Sequence, residues 1–73
     1  MATDICARLG AKIRHLRIQR QWRQIDLAAH AGLSKTHICD LETGKREVGL
    51  VALERLAEAL DIKPSELLKA IDR

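Results

Sequence analysis

Residues 24–43, QIDLAAHAGLSKTHICDLET, decide how this chain folds. The first half of the stretch carries apolar and small residues at helical spacing and stops at Gly32, which suits a left-handed C-terminal cap. Ser34 then suits the N-cap of a second helix. Because only Gly32 and Leu33 separate the first helix from that cap, the two helices must cross steeply. The stretch therefore predicts a helix-turn-helix arrangement.

The rest of the chain also has helical periodicity, and no segment alternates apolar and polar residues as a strand would. The predicted apolar stripes are, in chain order, Ile5, Leu9, Ile13 and Leu16; Leu27, Ala28 and Ala31; Ile38 and Leu41; Leu50, Leu53, Leu56, Ala57 and Leu60; and Leu67, Leu68 and Ile71 after Pro64. Gly44 is expected to stop the third helix, and Pro64 suits the first position of the fifth. The predicted fold is all-α, a compact bundle of five short helices.

The length of 73 residues predicts one domain, 1–73, with the helix-turn-helix at about 24–43 and C-terminal helices at about 50–71 for packing and dimerisation. No apolar run is long enough to span a membrane, and no secretion signal is present. Two cysteines are too few for a disulfide scaffold and suit a reducing cytoplasm. The single aromatic residue, Trp22, argues against a stacking platform for single-stranded nucleic acid.

The net charge of +3 is distributed unevenly along the chain. Residues 1–46 carry nine Lys or Arg and four Asp or Glu, giving +5, whereas residues 47–73 carry four and six, giving −2. This asymmetry favours contact of the front half with a polyanion. The alternative is that the charges simply cover solvated helix faces.

Several short pieces of the chain resemble a known family. They are Gln24-Ile25-Asp26-Leu27-Ala28, Ala31-Gly32-Leu33-Ser34, Leu41-Glu42, Gly44-Lys45-Arg46 and Leu56-Ala57-Glu58-Ala59-Leu60. In this combination and spacing they resemble the lambda-repressor-like helix-turn-helix family, the Xre and Cro group. The stretch 45–50 is most similar to the controller proteins of restriction–modification systems. The resemblance implies a five-helix lambda-repressor-like fold and a DNA-binding regulator of transcription.

Two positions depart from the family pattern. The family usually has Gly where Gln21 stands, so Gln21 must adopt a left-handed conformation or helix one must end differently. The family also favours Ser or Thr where Arg23 stands, and Arg cannot cap helix two through a side-chain oxygen.

The outward face of the third helix is predicted to read DNA bases, because the second helix of such a motif enters the major groove. Its candidate base-reading residues are Lys35, Thr36, Cys39 and Asp40. Lysine can donate to guanine, threonine can contact thymine, and aspartate can accept from cytosine. The candidate phosphate contacts are Arg23, Gln24, His37, Lys45 and Arg46. For both sets the alternative is an ordinary solvated surface.

The resemblance also implies an ion pair between Arg17 and Glu42, which would join the first helix to the reading helix. A dimer is expected because one reading helix covers too few base pairs to single out a site. Its interface is predicted in the C-terminal half, at Val48, Leu50, Val51, Leu67, Leu68 and Ile71. Since Leu67 and Leu68 are adjacent, one of the two is expected to be free for a partner.

The predicted function is that of a cytoplasmic transcription regulator that binds a palindromic operator in double-stranded DNA as a homodimer. A phage Cro-type repressor and an antitoxin that represses its own promoter remain alternatives. His37 and Cys39 lack the usual spacing of zinc ligands, and no pattern of catalytic residues stands out. Accordingly, no metal, cofactor, small-molecule substrate, membrane or enzymatic activity is expected.

Overall fold

The computed structural model describes residues 4–71. It confirms the all-α fold: the elements are α1 Asp4–Gln19, α2 Gln24–Ala31, α3 Lys35–Glu42, α4 Leu50–Ala59 and α5 Pro64–Leu68, followed by a 3-10 turn at Lys69–Ile71. Within these residues there is no β-strand. None of the described helices is both long and apolar enough to cross a membrane.

The core lies where α1 crosses α3 and where α2 and α5 pack on α4. Its largest fully buried side chains are Ile13, Leu27, Ile38, Leu41, Leu56, Leu60 and Leu67. Each of the five predicted stripes contributes at least one of these residues. Helical periodicity therefore located the core correctly in every helix.

Three members of the predicted stripes are exposed, namely Ile5, Leu50 and Leu68, and the last two were also predicted for the dimer interface. Ile5 is 50% exposed because the first turn of α1 borders an open groove and not another helix. Leu50 is 84% exposed, since the first turn of α4 extends past the core. Ala52 and Leu53 are the first α4 side chains to reach the interior.

The turn between α2 and α3 has the predicted chemistry. Gly32 adopts the left-handed conformation, with φ 68° and ψ 33°. The N–H of Leu33 donates to the carbonyl of Ala28 at 2.9 Å, which satisfies one of the free carbonyl groups at the end of α2. Ser34 Oγ accepts from the N–H of His37 at 3.0 Å and so caps α3. This short, fully bonded turn fixes α3 relative to α2.

The connection from α1 to α2 accommodates both departures from the family pattern. Gln21 adopts φ 58°, so a side-chain-bearing residue occupies the left-handed position. Arg23 occupies the N-cap of α2, and its backbone N–H donates to Asp26 Oδ2 at 2.8 Å. The reciprocal bond, from the backbone N–H of Asp26 to a serine or threonine hydroxyl oxygen at the N-cap, is missing because a guanidinium group has no acceptor. Asp26 therefore supplies half of a capping box by itself.

Gly10 allows α1 to approach α3 very closely. A Cβ atom built at this position would lie 2.3 Å from the carbonyl oxygen of Leu41 and 2.7 Å from that of Glu42. Both distances are far below van der Waals contact, and both oxygens belong to the backbone. Any other residue at position 10 would therefore push α3 away from α1.

Candidate nucleic-acid interface

The inner and outer faces of α3 differ sharply. Ile38, Leu41 and Glu42 are buried against the body of the domain. The opposite side of the helix borders a cleft of about 180 Å³, lined by Lys35, Thr36, Cys39 and Asp40 of α3 and by Gln24 of α2. The structure thus brings together all four predicted base-reading side chains and one predicted phosphate contact. Their role towards DNA stays a prediction.

A buried ion pair holds α3 in place. Arg17 Nε donates to Glu42 Oε2 at 2.7 Å, and Arg17 Nη2 donates to Glu42 Oε1 at 3.0 Å. The side chains are only 11% and 2% exposed. A third bond runs from Arg17 Nη1 to the carbonyl of Trp22 at 2.7 Å. The predicted pair of Arg17 and Glu42 is confirmed, and it ties α1 to both α3 and the start of α2.

Gln24 belongs to the same network. Its Nε2 atom donates to Glu42 Oε1 at 3.2 Å, and the side chain is partly buried at the edge of the cleft. An amide nitrogen has two N–H groups, so one remains for another acceptor. Glu42 therefore orients Gln24 as well as Arg17. The sequence did not indicate this bond, because the two residues lie on different helices and their separation depends on the turn.

Two of the predicted phosphate contacts are paired with aspartates. Arg23 Nε lies 3.2 Å from Asp26 Oδ2. Arg46 Nη2 lies 3.7 Å from Asp40 Oδ2. Hydrogen bonds from the Arg23 side chain, and one from its backbone, lower the pKa of the Asp26 carboxyl group below its ordinary value.

The remaining predicted phosphate contacts lie on or just beyond the reading helix. His37 is half-buried on α3, and Lys45 is exposed in the loop that follows. Neither Lys45 nor Lys35 forms an ion pair with any residue from 4 to 71. Their charges are therefore not neutralised within the described chain.

A second cleft, of about 230 Å³, lies away from α3. Its walls come from α1, the loop before α4 and the C-terminal turn: Ile5, Cys6, Leu9, Glu47, Val48, Leu68 and Ile71. Three of the residues predicted for a dimer interface are among them. We call these seven residues the apolar groove.

The other residues predicted for the interface have different positions. Leu50 and Val51 are 84% and 64% exposed at the start of α4. Leu67 is completely buried in the core, so it cannot contact a partner and is removed from the predicted interface. Of the adjacent leucines, Leu68 is the exposed one, at 39%.

The structure brings no metal-ligand cluster together in the part of the chain that it describes: no group of three or more His, Cys, Asp and Glu side chains is placed to hold an ion. Cys6 and Cys39 form no disulfide. The ring of Trp22 stacks on that of His30, with centroids 4.3 Å apart. Trp22 is partly buried and packs against the core of the domain.

Comparison with known proteins agrees with this arrangement. Residues 8–70 match the helix-turn-helix domain family. The chain is 38% identical over 71 residues to the control protein C.MunI of a Mycoplasma species, covering 96% of each chain. It is 35% identical over 69 residues to the control protein C.BamHI of Bacillus amyloliquefaciens, covering 93% of this chain and 85% of that protein.

A solved structure is also similar. The restriction–modification controller protein C.AhdI from Aeromonas hydrophila superposes with a TM-score of 0.83 at 39% identity, covering 85% of this chain and 94% of that one. The chain belongs to the helix-turn-helix family of DNA-binding transcription regulators, in the Xre/Cro group, and within it resembles the controller proteins of restriction–modification systems.

Proposed function

We propose that this chain is a cytoplasmic, sequence-specific regulator of the restriction–modification controller type, which binds a palindromic operator as a homodimer. The observation that carries the proposal is the cleft beside α3, where Lys35, Thr36, Cys39 and Asp40 lie together on the side opposite the buried face. The similarity to a control protein over 96% of both chains favours this function over a phage Cro-type repressor or an antitoxin.

Each half-site would receive one α3 in its major groove. Lys35 would donate to guanine O6 and N7, Thr36 would contact a thymine methyl group, and Asp40 would accept from a cytosine amino group. Cys39, which lines the same cleft, would also face the base edges. The backbone would be held by Arg23, Gln24, His37, Lys45 and Arg46. Phosphate contacts fix the position of the protein on DNA, and the base contacts supply the sequence preference.

The apolar groove supports the proposed dimer. Its Val48, Leu68 and Ile71 side chains line a cleft that shares no residue with the reading cleft, and Leu50 and Val51 are exposed at the start of α4. The domain measures 28 × 24 × 22 Å, so two touching copies have centres about one such diameter apart. If each reading helix lies on the half of its copy that is farther from the partner, the two helices can reach successive major grooves, which lie about 34 Å apart.

Selection of binding sites from a pool of random duplexes tests the proposal. We expect an inverted repeat whose half-sites are one helical turn, or a multiple of it, apart. In a salt series, Lys35→Ala should relax the preference at one base pair, at a cost of about 1–3 kcal/mol. Arg46→Ala should weaken binding to the selected duplex and reduce the salt slope on it by about one. Equal weakening of selected and random duplexes by Lys35→Ala would contradict the base-reading role.

Sedimentation over a dilution series tests the dimer. The wild-type chain should show a concentration-dependent dimer, and Leu68→Glu should shift it towards monomer because a charge in an apolar interface is left unpaired. Since Leu68 is 39% exposed, the variant should keep its fold, which circular dichroism can verify. A wild-type chain that remains monomeric up to millimolar concentration would refute the homodimer.

A further inference from the structure

The ion pair between Asp40 and Arg46 joins two residues with different proposed tasks. Asp40 lies on the base-reading cleft, and Arg46 belongs to the loop directly after α3. Their side chains are 26% and 53% exposed, so both remain accessible to DNA. The loop is held near Asp40 by its own backbone, because the N–H of Lys45 donates to the Asp40 carbonyl at 2.9 Å. The pairing therefore follows from the way α3 ends.

This pair creates a conflict when DNA arrives. Arg46 can remain with Asp40, in which case the backbone contact is lost. It can instead turn to a phosphate, in which case the Asp40 carboxylate is left without a partner and close to a polyanion. An unpaired charge that loses its water is strongly unfavourable. Both outcomes weaken binding to DNA of arbitrary sequence.

One base resolves the conflict. In the major groove, cytosine presents an N4 amino donor, which suits a carboxylate acceptor, whereas guanine and thymine present acceptor oxygens at the corresponding place. Adenine presents its N6 amino donor beside the N7 acceptor, whose lone pair repels a carboxylate. Where cytosine faces Asp40, its amino group can replace the Arg46 guanidinium. Arg46 is then free to bind the backbone without leaving a charge unpaired.

We propose that Asp40 and Arg46 act as one specificity element, in which Arg46 exchanges Asp40 for a phosphate only where a cytosine amino group takes its place. The proposal rests on the proposed function, since it requires α3 in the major groove. It differs from simple base reading because the aspartate acts chiefly by penalising wrong sequences. Such repulsive contributions are a common source of specificity.

The pair of Arg23 and Asp26 creates no such conflict between phosphate binding and charge pairing. Asp26 accepts from the backbone N–H of its own partner, Arg23, and so belongs to the cap of α2. It does not line the cleft beside α3. If the Arg23 side chain turns to a phosphate, Asp26 keeps its hydrogen bond from the Arg23 backbone N–H, and no carboxylate is left unpaired beside the bases.

The test compares two duplexes and two charge-matched variants of the full chain. One duplex is selected by the wild-type protein from a random pool, and the other is a scrambled sequence of the same length and composition. Asp40→Asn removes the charge in the cleft. Glu58→Gln removes the same charge from an exposed position on α4 and serves as the control.

We expect Asp40→Asn to bind the scrambled duplex about tenfold more tightly and the selected duplex no more tightly, so that the specificity ratio falls at least tenfold. Preference for cytosine should be lost at one position in each half-site. Glu58→Gln should raise both affinities by the same small factor. In the wild-type background, Arg46→Gln should reduce the salt slope by about one on the selected duplex and leave it nearly unchanged on the scrambled duplex, whereas in an Asp40→Asn background it should reduce the slope on both duplexes.

Three results would overturn the proposal. The first is that Asp40→Asn changes both affinities by one common factor, as a general charge effect would. The second is that Arg46→Gln, in the wild-type background, reduces the salt slope equally on the selected and the scrambled duplex. Finally, a wild-type chain with equal affinity for both duplexes would refute the proposed function itself, and this inference with it. The first two results leave the proposed function standing, so the failures are distinguishable.

Discussion

Replacing Glu42 with alanine should destabilise this domain severely. The Glu42 side chain is 2% exposed and accepts three hydrogen bonds, two from Arg17 and one from Gln24. The variant leaves the Arg17 guanidinium, only 11% exposed, without its counter-charge. Breaking one side of a buried pair costs about 3–5 kcal/mol. A domain of this size has a total stability of roughly 5 kcal/mol, so most of it would be lost.

Thermal unfolding followed by circular dichroism measures the effect. At about 4–8 °C per kcal/mol, the melting temperature of Glu42→Ala should fall by more than about 12 °C. Glu58→Ala makes the same chemical change at an exposed site of α4 and should stay within about 0.5 kcal/mol of the wild type. The double variant Arg17→Met with Glu42→Leu should recover much of the loss, because a buried pair can be replaced by apolar groups at little net cost.

The double variant separates two explanations. If Glu42 mattered only through its hydrocarbon packing, Glu42→Leu alone would restore stability and Arg17→Met would add nothing. Equal melting temperatures for Glu42→Ala and Glu58→Ala would refute the reasoning altogether.

Further predictions concern the caps and the core. Gln21→Gly should raise the free energy of unfolding by about 0.5–1 kcal/mol, measured in urea, because Gln21 occupies a left-handed conformation at φ 58° that favours glycine. Arg23 lowers the pKa of the Asp26 carboxyl group in the folded state, so ionised Asp26 stabilises the fold at pH values above its ordinary pKa. This contribution disappears as the pH falls through the lowered pKa. The difference in unfolding free energy between wild type and Asp26→Asn should therefore shrink below about pH 4. Leu67→Ala should cost about 2–5 kcal/mol and Leu68→Ala far less in the monomer, because only Leu67 is completely buried.

Periodicity and cap chemistry predicted the fold well because both are local properties. The spacing of apolar residues decides which helix face is buried, and Gly32 and Ser34 decide where α2 ends and α3 begins. Periodicity cannot tell whether a neighbour covers the end of a stripe. Ile5, in the first turn of α1, therefore lies on a predicted stripe but is exposed. Leu50, in the first turn of α4, is exposed as well, which is compatible with its predicted place in the dimer interface.

The cleft beside α3 was predictable for a similar reason, since its residues lie on one face of a single helix. The contacts that cross between elements were not. The bond from Gln24 to Glu42 and the pairing of Asp40 with Arg46 depend on how the α2–α3 turn and the loop after α3 fold. Gly10 carried no readable signal, because a glycine inside a helix does not indicate which neighbour it approaches.

That close approach has a consequence for the proposed operator. A methyl group at Gly10 would lie 2.3 Å from the Leu41 carbonyl oxygen, so α3 would have to move by about 1 Å to restore ordinary contact. Two-fold symmetry applies the same movement to both copies of a dimer, which changes the distance between the two reading helices by up to about 2 Å. Base pairs are stacked about 3.4 Å apart, so this change exceeds half of one step. In the proposed dimer, the missing side chain of α1 would thus help to set the distance between the two reading helices.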